Sequence, residues 1–397
     1  SIRGYKVLWM GRGFSKFSDL WYLPFPVRAG EFQKDVVVIT KHCYILLTLL
    51  GVCAVLLCAS AACIATPETS STAENWTITD MAGRTVVVPS EIKRVICTSP
   101  PPSTFVYMVA PDRLAAWNSA LGKNEYIPEK YAAGIEPIGG GGSVVVTNYE
   151  LIISMHPDIV VVSCTTGDEA TLASIAEQQK KLGSIPVVAV KDARNSTGYS
   201  APIRFTGDLL GEEERAEAMI AFYEGILATV TERAASIPDD ERVRVYYAEG
   251  PQGLATDPTG SVHSELIELC GGRNVADCAL NPGSGMTEVS MEQIILWDPE
   301  VILVLDPEFY ATIRTDPLWQ EITAVKTNRV YLIPRTAFCW FDRPPGINRI
   351  IGIPWTAKVL YPDRFSDMDL EGLVKEYHEL FLHISLSDDQ IRGILNP

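Results

Sequence analysis

The stretch Arg335-Thr336-Ala337-Phe338-Cys339-Trp340-Phe341-Asp342-Arg343-Pro344-Pro345 combines two arginines with large aromatics in a loop stiffened by prolines. Aromatic faces offer flat apolar contact to a macrocycle or chelate. A guanidinium gives paired hydrogen bonds to a carboxylate or an oxyanion. Trp340 and Arg343, with Trp117 from an earlier loop, are therefore candidate ligand contacts, and Arg349 adds a further cation. The competing reading is a plain surface loop in which Arg343 pairs with Asp342 or another acid. A second candidate is the glycine run Gly139 to Gly142, followed by Ser143. No Gly-Lys-Ser/Thr follows it, so a nucleotide phosphate loop is not expected. Gly141, Gly142 and Ser143 read instead as a cleft-rim turn whose backbone N–H groups can face an anion.

Other chemistries find little support. The chain has five histidines, no C-x-x-C and no H-E-x-x-H, so a zinc or manganese site built by the protein is not expected. His263 reads as a structural residue early in an apolar helix, and Cys339 as a packed thiol. No Gly-x-Ser-x-Gly elbow or placed Ser-His-Asp set points to a hydrolase. The reading is of a binding protein with no intrinsic cofactor, not an enzyme.

Charge and hydropathy set the compartment. Beyond residue 42 the chain carries 26 basic against 46 acidic residues, a charge of -20, which repels nucleic acid. From Cys43 to Ala62 the sequence CYILLTLLGVCAVLLCASAA has no charge, and its 20 residues are long enough to span a bilayer. Lys41 precedes it, and Ala59, Ser60, Ala61 and Ala62 lead into Cys63. Residues 43–63 read as an export signal with Cys63 as the lipidated residue, or as an uncleaved signal anchor. Either way the body lies outside the cytoplasmic membrane and is tethered to it. Residues 64–75 read as a flexible tether and residues 1–42 as an extension outside the mature protein. Cys270 and Cys278 either form a short-loop disulfide or stay as buried thiols.

The elements that must position these residues show in a repeat. Residues 148–162, NYELIISMHPDIVVV, match residues 290–304, SMEQIILWDPEVILV, at an ungapped offset of 142. Each copy has a polar cap (Asn148, Ser290), then Glu (Glu150, Glu292), a helical apolar stretch, Pro with an acid, and an aliphatic run. Such a run reads as a strand buried on both faces, and the proline marks the helix end. The spacing predicts a hairpin over 76–88 and strands at 94–97 and 114–117, with Pro100-Pro101-Pro102 breaking into a loop. Apolar residues at helical spacing over 201–237 predict one long helix between the halves.

These pieces, in this order, resemble the helical-backbone class of ABC-importer substrate-binding proteins. That class includes receptors for iron-siderophores, haem and cobalamin and some for molybdate or tungstate. The likeness rests on Asp80-Met81-Ala82-Gly83-Arg84, Arg94-Val95-Ile96, the two Glu-containing units, Gly271-Gly272-Arg273-Asn274-Val275-Ala276 and Gly352-Ile353-Pro354-Trp355. It implies an α/β fold of two Rossmann-like lobes, 76–200 and 242–397, joined by one backbone helix over 201–237, with the ligand in the cleft between them. It implies a monomer that delivers its solute to an ABC permease and its ATPase, docking through Glu150 and Glu292. Both glutamates also read as plain partners of a helix dipole. The expected cargo is an iron complex of siderophore, haem or corrinoid type. A molybdate or tungstate oxyanion, or a chelatase or cofactor-assembly role, are the alternatives.

Overall fold

The computed structural model describes residues 75–121, 124–132, 137–138, 148–192, 194–281 and 285–396. The chain divides between Thr72 and Ala73, and the described residues belong to the second unit. The expectations for residues 1–42, 43–63 and 64–74, Cys63 among them, lie outside the described residues, as do Gly141, Gly142 and Ser143. Among the described residues no helix is long and apolar enough to cross a membrane.

The opening hairpin forms as its alternation predicts. Strand β1 (Trp76–Thr79) pairs antiparallel with β2 (Thr85–Val88), Trp76 opposite Val88. Asp80 ties the turn together, accepting from the backbone N–H of Ala82 and Arg84 and from the Arg84 guanidinium. The first lobe is then a four-stranded parallel sheet in the order β4 (Leu114–Ala116), β3 (Val95–Cys97), β5 (Ile159–Cys164), β6 (Val187–Lys191). Val95 pairs with Ile159 and Val160 with Val187. All-parallel pairing buries both faces, which is why β3 and β5 are near-continuous aliphatic runs.

The second lobe repeats the plan. Its sheet runs β12 (Val330–Leu332), β11 (Val301–Val304), β7 (Arg244–Ala248), β9 (Arg273–Asn274), again all parallel. A small antiparallel ribbon joins β8 (Ala255–Thr256) to β10 (Thr287–Glu288).

Two expectations are corrected. The triple proline does not break into a loop; it starts helix α1, Pro100–Val109. Proline in a first helical turn loses nothing, since those N–H groups have no partner within the helix, and its fixed φ suits the helix. The predicted single helix over 201–237 is two: α2 (Ser200–Leu210) and α3 (Glu213–Ala235). Gly211 ends the first in the left-handed region at φ 71°, a conformation that only glycine adopts freely. Glycine hydrogen at Gly207 also lets α3 lie close, since a Cβ there would sit 2.4 Å from that of Ala216. Helix α3 remains the long connector.

One core cluster unites both lobes. It takes in Val95 and Phe105, then Tyr223 and Val230 of α3, then Val245 and Phe381. The last helices, α4 (Leu370–Phe381) and α5 (Asp388–Leu395), lie beyond the second sheet in sequence, yet the chain between them returns to the first lobe. The Tyr107 hydroxyl on α1 donates to the Leu382 carbonyl at 2.8 Å, and His383 Nε2 bonds the Tyr107 carbonyl at 3.0 Å. The expected second-lobe range 242–397 therefore contains a return segment that also completes the first.

Candidate functional site

Parallel α/β sheets present loops at their strand C-termini, where ligands bind. In the first lobe that edge holds Ser99 after β3, Trp117 and Asn118 after β4, and Ser163 within the end of β5. The Ser99 and Ser163 hydroxyls lie 3.1 Å apart and are half-buried. Ser99 is the N-cap of α1, but its side chain makes no capping bond. The three prolines behind it remove N–H groups from the helix start. The positive end of the helix dipole is thus present, but its donors must come from hydroxyls. Asn118 is buried and bound, donating to the Cys97 carbonyl at 2.8 Å.

Trp117 and Trp340 were expected in the cleft, and the structure places both in the core. Trp117 is 3% exposed, and its indole N–H donates to the Tyr131 carbonyl at 2.8 Å. Trp340 is 1% exposed, and its N–H donates to Thr336 Oγ1 at 3.1 Å. A large apolar ring gains most free energy when fully removed from water, and both rings found such positions. Phe338, half-buried beside Trp117 with ring centres 6.3 Å apart, is the aromatic of the 335–345 loop that keeps some exposure.

Arg343 takes the competing reading from the sequence. It binds Glu249 Oε1 through Nε at 2.8 Å, Asp257 Oδ2 at 2.9 Å and Asp342 Oδ2 at 3.2 Å. All three acids are fully buried, and Glu249 directly follows β7. Burial pushes the Glu249 carboxyl up to about 8, against the pull of Arg343; the adjoining Asp257 carboxyl adds to the rise. His263 belongs to the same group. It precedes a short helix, Glu265–Leu269, and its Nδ1 lies 2.8 Å from Asp342 Oδ1. None of Glu249, Asp257 and His263 carries a local motif, so sequence reading did not join them.

Arg349 is likewise not free for an anion. It is fully buried and donates to Tyr199 Oη at 3.1 Å, the Val262 carbonyl at 2.7 Å and Glu265 at 3.2 Å, and to the Arg194 carbonyl. Glu265 in turn accepts from the backbone N–H and hydroxyl of Ser196 at 3.0 and 2.9 Å. These bonds tie the segment after β6 to the second lobe. Cys270 and Cys278 are free thiols, and Cys270 is buried with its Sγ donating to the Ile353 carbonyl. Cys339 is buried as a packed thiol.

Glu150 and Glu292 occupy matched, exposed positions. Each lies in the first turn of its repeat helix, Tyr149–Ser154 and Met291–Trp297, capped by Asn148 and by a Ser290–Gln293 capping box. The helix's own N–H and Ser290 hold Glu292 below the usual carboxylate range. Ile153 and Ile295, which correspond at the same offset, are 41% and 48% exposed. Each lobe therefore presents an acid beside an uncovered isoleucine.

A family model described as periplasmic binding protein matches residues 95–337, more than half of the chain. The molybdate-binding protein MolA of Haemophilus influenzae is 26% identical over 357 residues, covering 83% of this chain and 97% of that protein. The Fe(3+)-citrate-binding protein YfmC of Bacillus subtilis is 24% identical, covering 49% of this chain and 59% of that one. Among solved structures, an ABC transporter solute binding protein from Sulfurospirillum deleyianum is 34% identical with a TM-score of 0.73. The match covers 80% of this chain and 98% of that one.

Proposed function

We propose, for a chain that belongs to the periplasmic binding protein family and is the solute-binding component of an ABC transporter, that the solute is a compact metal oxyanion of the molybdate class. The observation that carries this reading is the pair of half-buried hydroxyls, Ser99 and Ser163, at the start of α1. Hydroxyls donate to oxyanion oxygens, and the helix dipole favours negative charge there. Burial of Trp117 and Trp340 points the same way, because it removes the flat platforms that a porphyrin or corrin would use. The extent of the likeness to MolA, nearly that whole protein, also supports it. The iron-complex reading stands second. Half-buried Phe338 and the shorter likeness to a ferric-citrate receptor favour it.

Delivery is to a permease and its ATPase, with Glu150 and Glu292 as the docking acids. The uncharged Cys43–Ala62 run followed by Cys63 supports a tether at the outer face of the cytoplasmic membrane. Thermal-shift and calorimetric titration of the protein with molybdate, tungstate, ferric citrate, a ferric siderophore, haem and cobalamin tests the ligand. Molybdate or tungstate at 100 times its dissociation constant adds about 2.7 kcal/mol of stability. The Ser99→Ala and Ser163→Ala variants then weaken binding roughly tenfold each, as loss of a hydrogen bond to a charged group predicts. Binding of a ferric chelate, haem or cobalamin with no response to either oxyanion would refute the reading.

A further inference from the structure

At the strand-end face of the second lobe, Asp257, His263 and Asp342 each bring one ligating atom within 4.8 Å of the others. Both aspartates are fully buried, and His263 is 8% exposed. His263 Nδ1 lies 2.8 and 3.0 Å from the two Asp342 oxygens. Two ligands set roughly at right angles, each about 2.1 Å from a metal, are about 3 Å apart. The spacing is therefore that of neighbouring ligands around one ion.

Independent of that triad, Glu249 points to a missing partner. The residue is 0% exposed. Its Oε1 accepts from Arg343, while its Oε2 is buried with no hydrogen-bond donor among the described residues. The same Arg343 bridges to Asp257, so the orphaned oxygen belongs to the same cluster. A buried carboxylate oxygen left without donor or cation is costly. Glu249 and Asp257 adjoin in this cluster, and a bound cation would relieve the contact between their carboxyls.

We propose that this cluster is a binding site for one divalent transition-metal ion, ligated by Asp257, His263 and Asp342 with Glu249 Oε2 facing the ion. An imidazole beside carboxylates suits zinc, manganese or ferrous iron better than calcium or magnesium. Surrounding bonds hold the ligands in place. Ser261 donates to Asp257 Oδ1 at 2.8 Å, and the Tyr247 hydroxyl approaches Asp342 Oδ2 at 3.3 Å. Bound metal would clamp the 335–345 loop to the 257–263 loop, fixing one wall of the strand-end face. The proposal does not rest on the oxyanion reading, and either can fail alone. The metal is measured without solute, and the solute with chelator-treated protein.

The test uses the full chain, treated with a chelator and dialysed. Zinc titrated by calorimetry binds one ion per chain and raises the melting temperature, while calcium at the same concentration does not. His263→Gln and Asp342→Asn weaken zinc by more than about 100-fold, and Tyr247→Phe, a supporting partner, by about tenfold. His156→Ala leaves affinity unchanged. Should Asp342→Asn fail to fold, His263→Gln with an unchanged circular-dichroism spectrum decides the matter. X-ray absorption of the zinc-loaded chain shows one imidazole among oxygen ligands. No saturable zinc binding, wild-type affinity in His263→Gln, or oxygen ligands alone would overturn the proposal.

Discussion

Acid should destabilise this protein through His378, and the size of the effect follows from where that ring sits. His378 lies on α4, fully buried, with ring centres 5.5 Å from Tyr377, 6.1 Å from Tyr126 and 6.3 Å from Trp340. Nδ1 bonds the Val374 carbonyl at 2.7 Å, so it carries the proton, and Nε2 is buried with no partner among the described residues. Protonating Nε2 would place a charge among aromatic rings. Burial accordingly lowers the pKa from 6.5 to about 4, with the Val374 bond opposing. The unfolded chain takes up a proton as pH falls below 6.5, while the folded chain does not until about 4. Stability is therefore complete above pH 6.5 and is lost as pH falls between these values. At about 1.36 kcal/mol per unit, the loss reaches about 3 kcal/mol near pH 4. His383, also lowered to about 4 chiefly by burial, acts in the same direction. The His378→Phe variant removes one of the two contributions. Urea unfolding at pH 4.0, 5.0, 6.5 and 7.5 should show the variant with a shallower acid loss, by about one proton per molecule. Parallel pH profiles for wild type and His378→Phe would refute the assignment of His378 as a buried neutral base.

Two more perturbations separate structure from transport. Trp340→Ala opens a core cavity and should cost about 3–5 kcal/mol in chemical denaturation, while solute affinity at low temperature stays within a few-fold of wild type. A large affinity loss with unchanged stability would return Trp340 to the cleft. Glu150→Lys combined with Glu292→Lys should abolish uptake in cells and leave solute affinity intact; normal transport by the double variant would exclude the docking role.

Much of the architecture was legible because its determinants are local. The offset-142 repeat showed two like αβ units, and the structure gives each the same sequence of N-cap, short helix and central strand. Caps and buried aliphatic runs depend on residues within a few positions of one another, so a linear reading finds them. The two misjudged segments were also local, but their signals conflict. Proline both breaks helices and starts them, and Gly211 lay inside a stretch whose apolar spacing continued past it.

The 335–345 loop shows the other limit. Composition alone identified Trp340 and Arg343 as residues able to grip a ligand. Whether a ring faces a cleft or the core is decided by what packs over it, and α4, brought back from residues 370–381, covers Trp340 through His378. Arg343 meets Glu249 across 94 positions and Asp257 across 86. His263 meets Asp342 across 79. No periodicity or spacing rule reaches that far. Two α/β lobes, their matched surface acids and an acidic body are written in local sequence. Only the tertiary structure decided which polar groups are buried together, because partners for buried charge are chosen by the fold's long-range contacts.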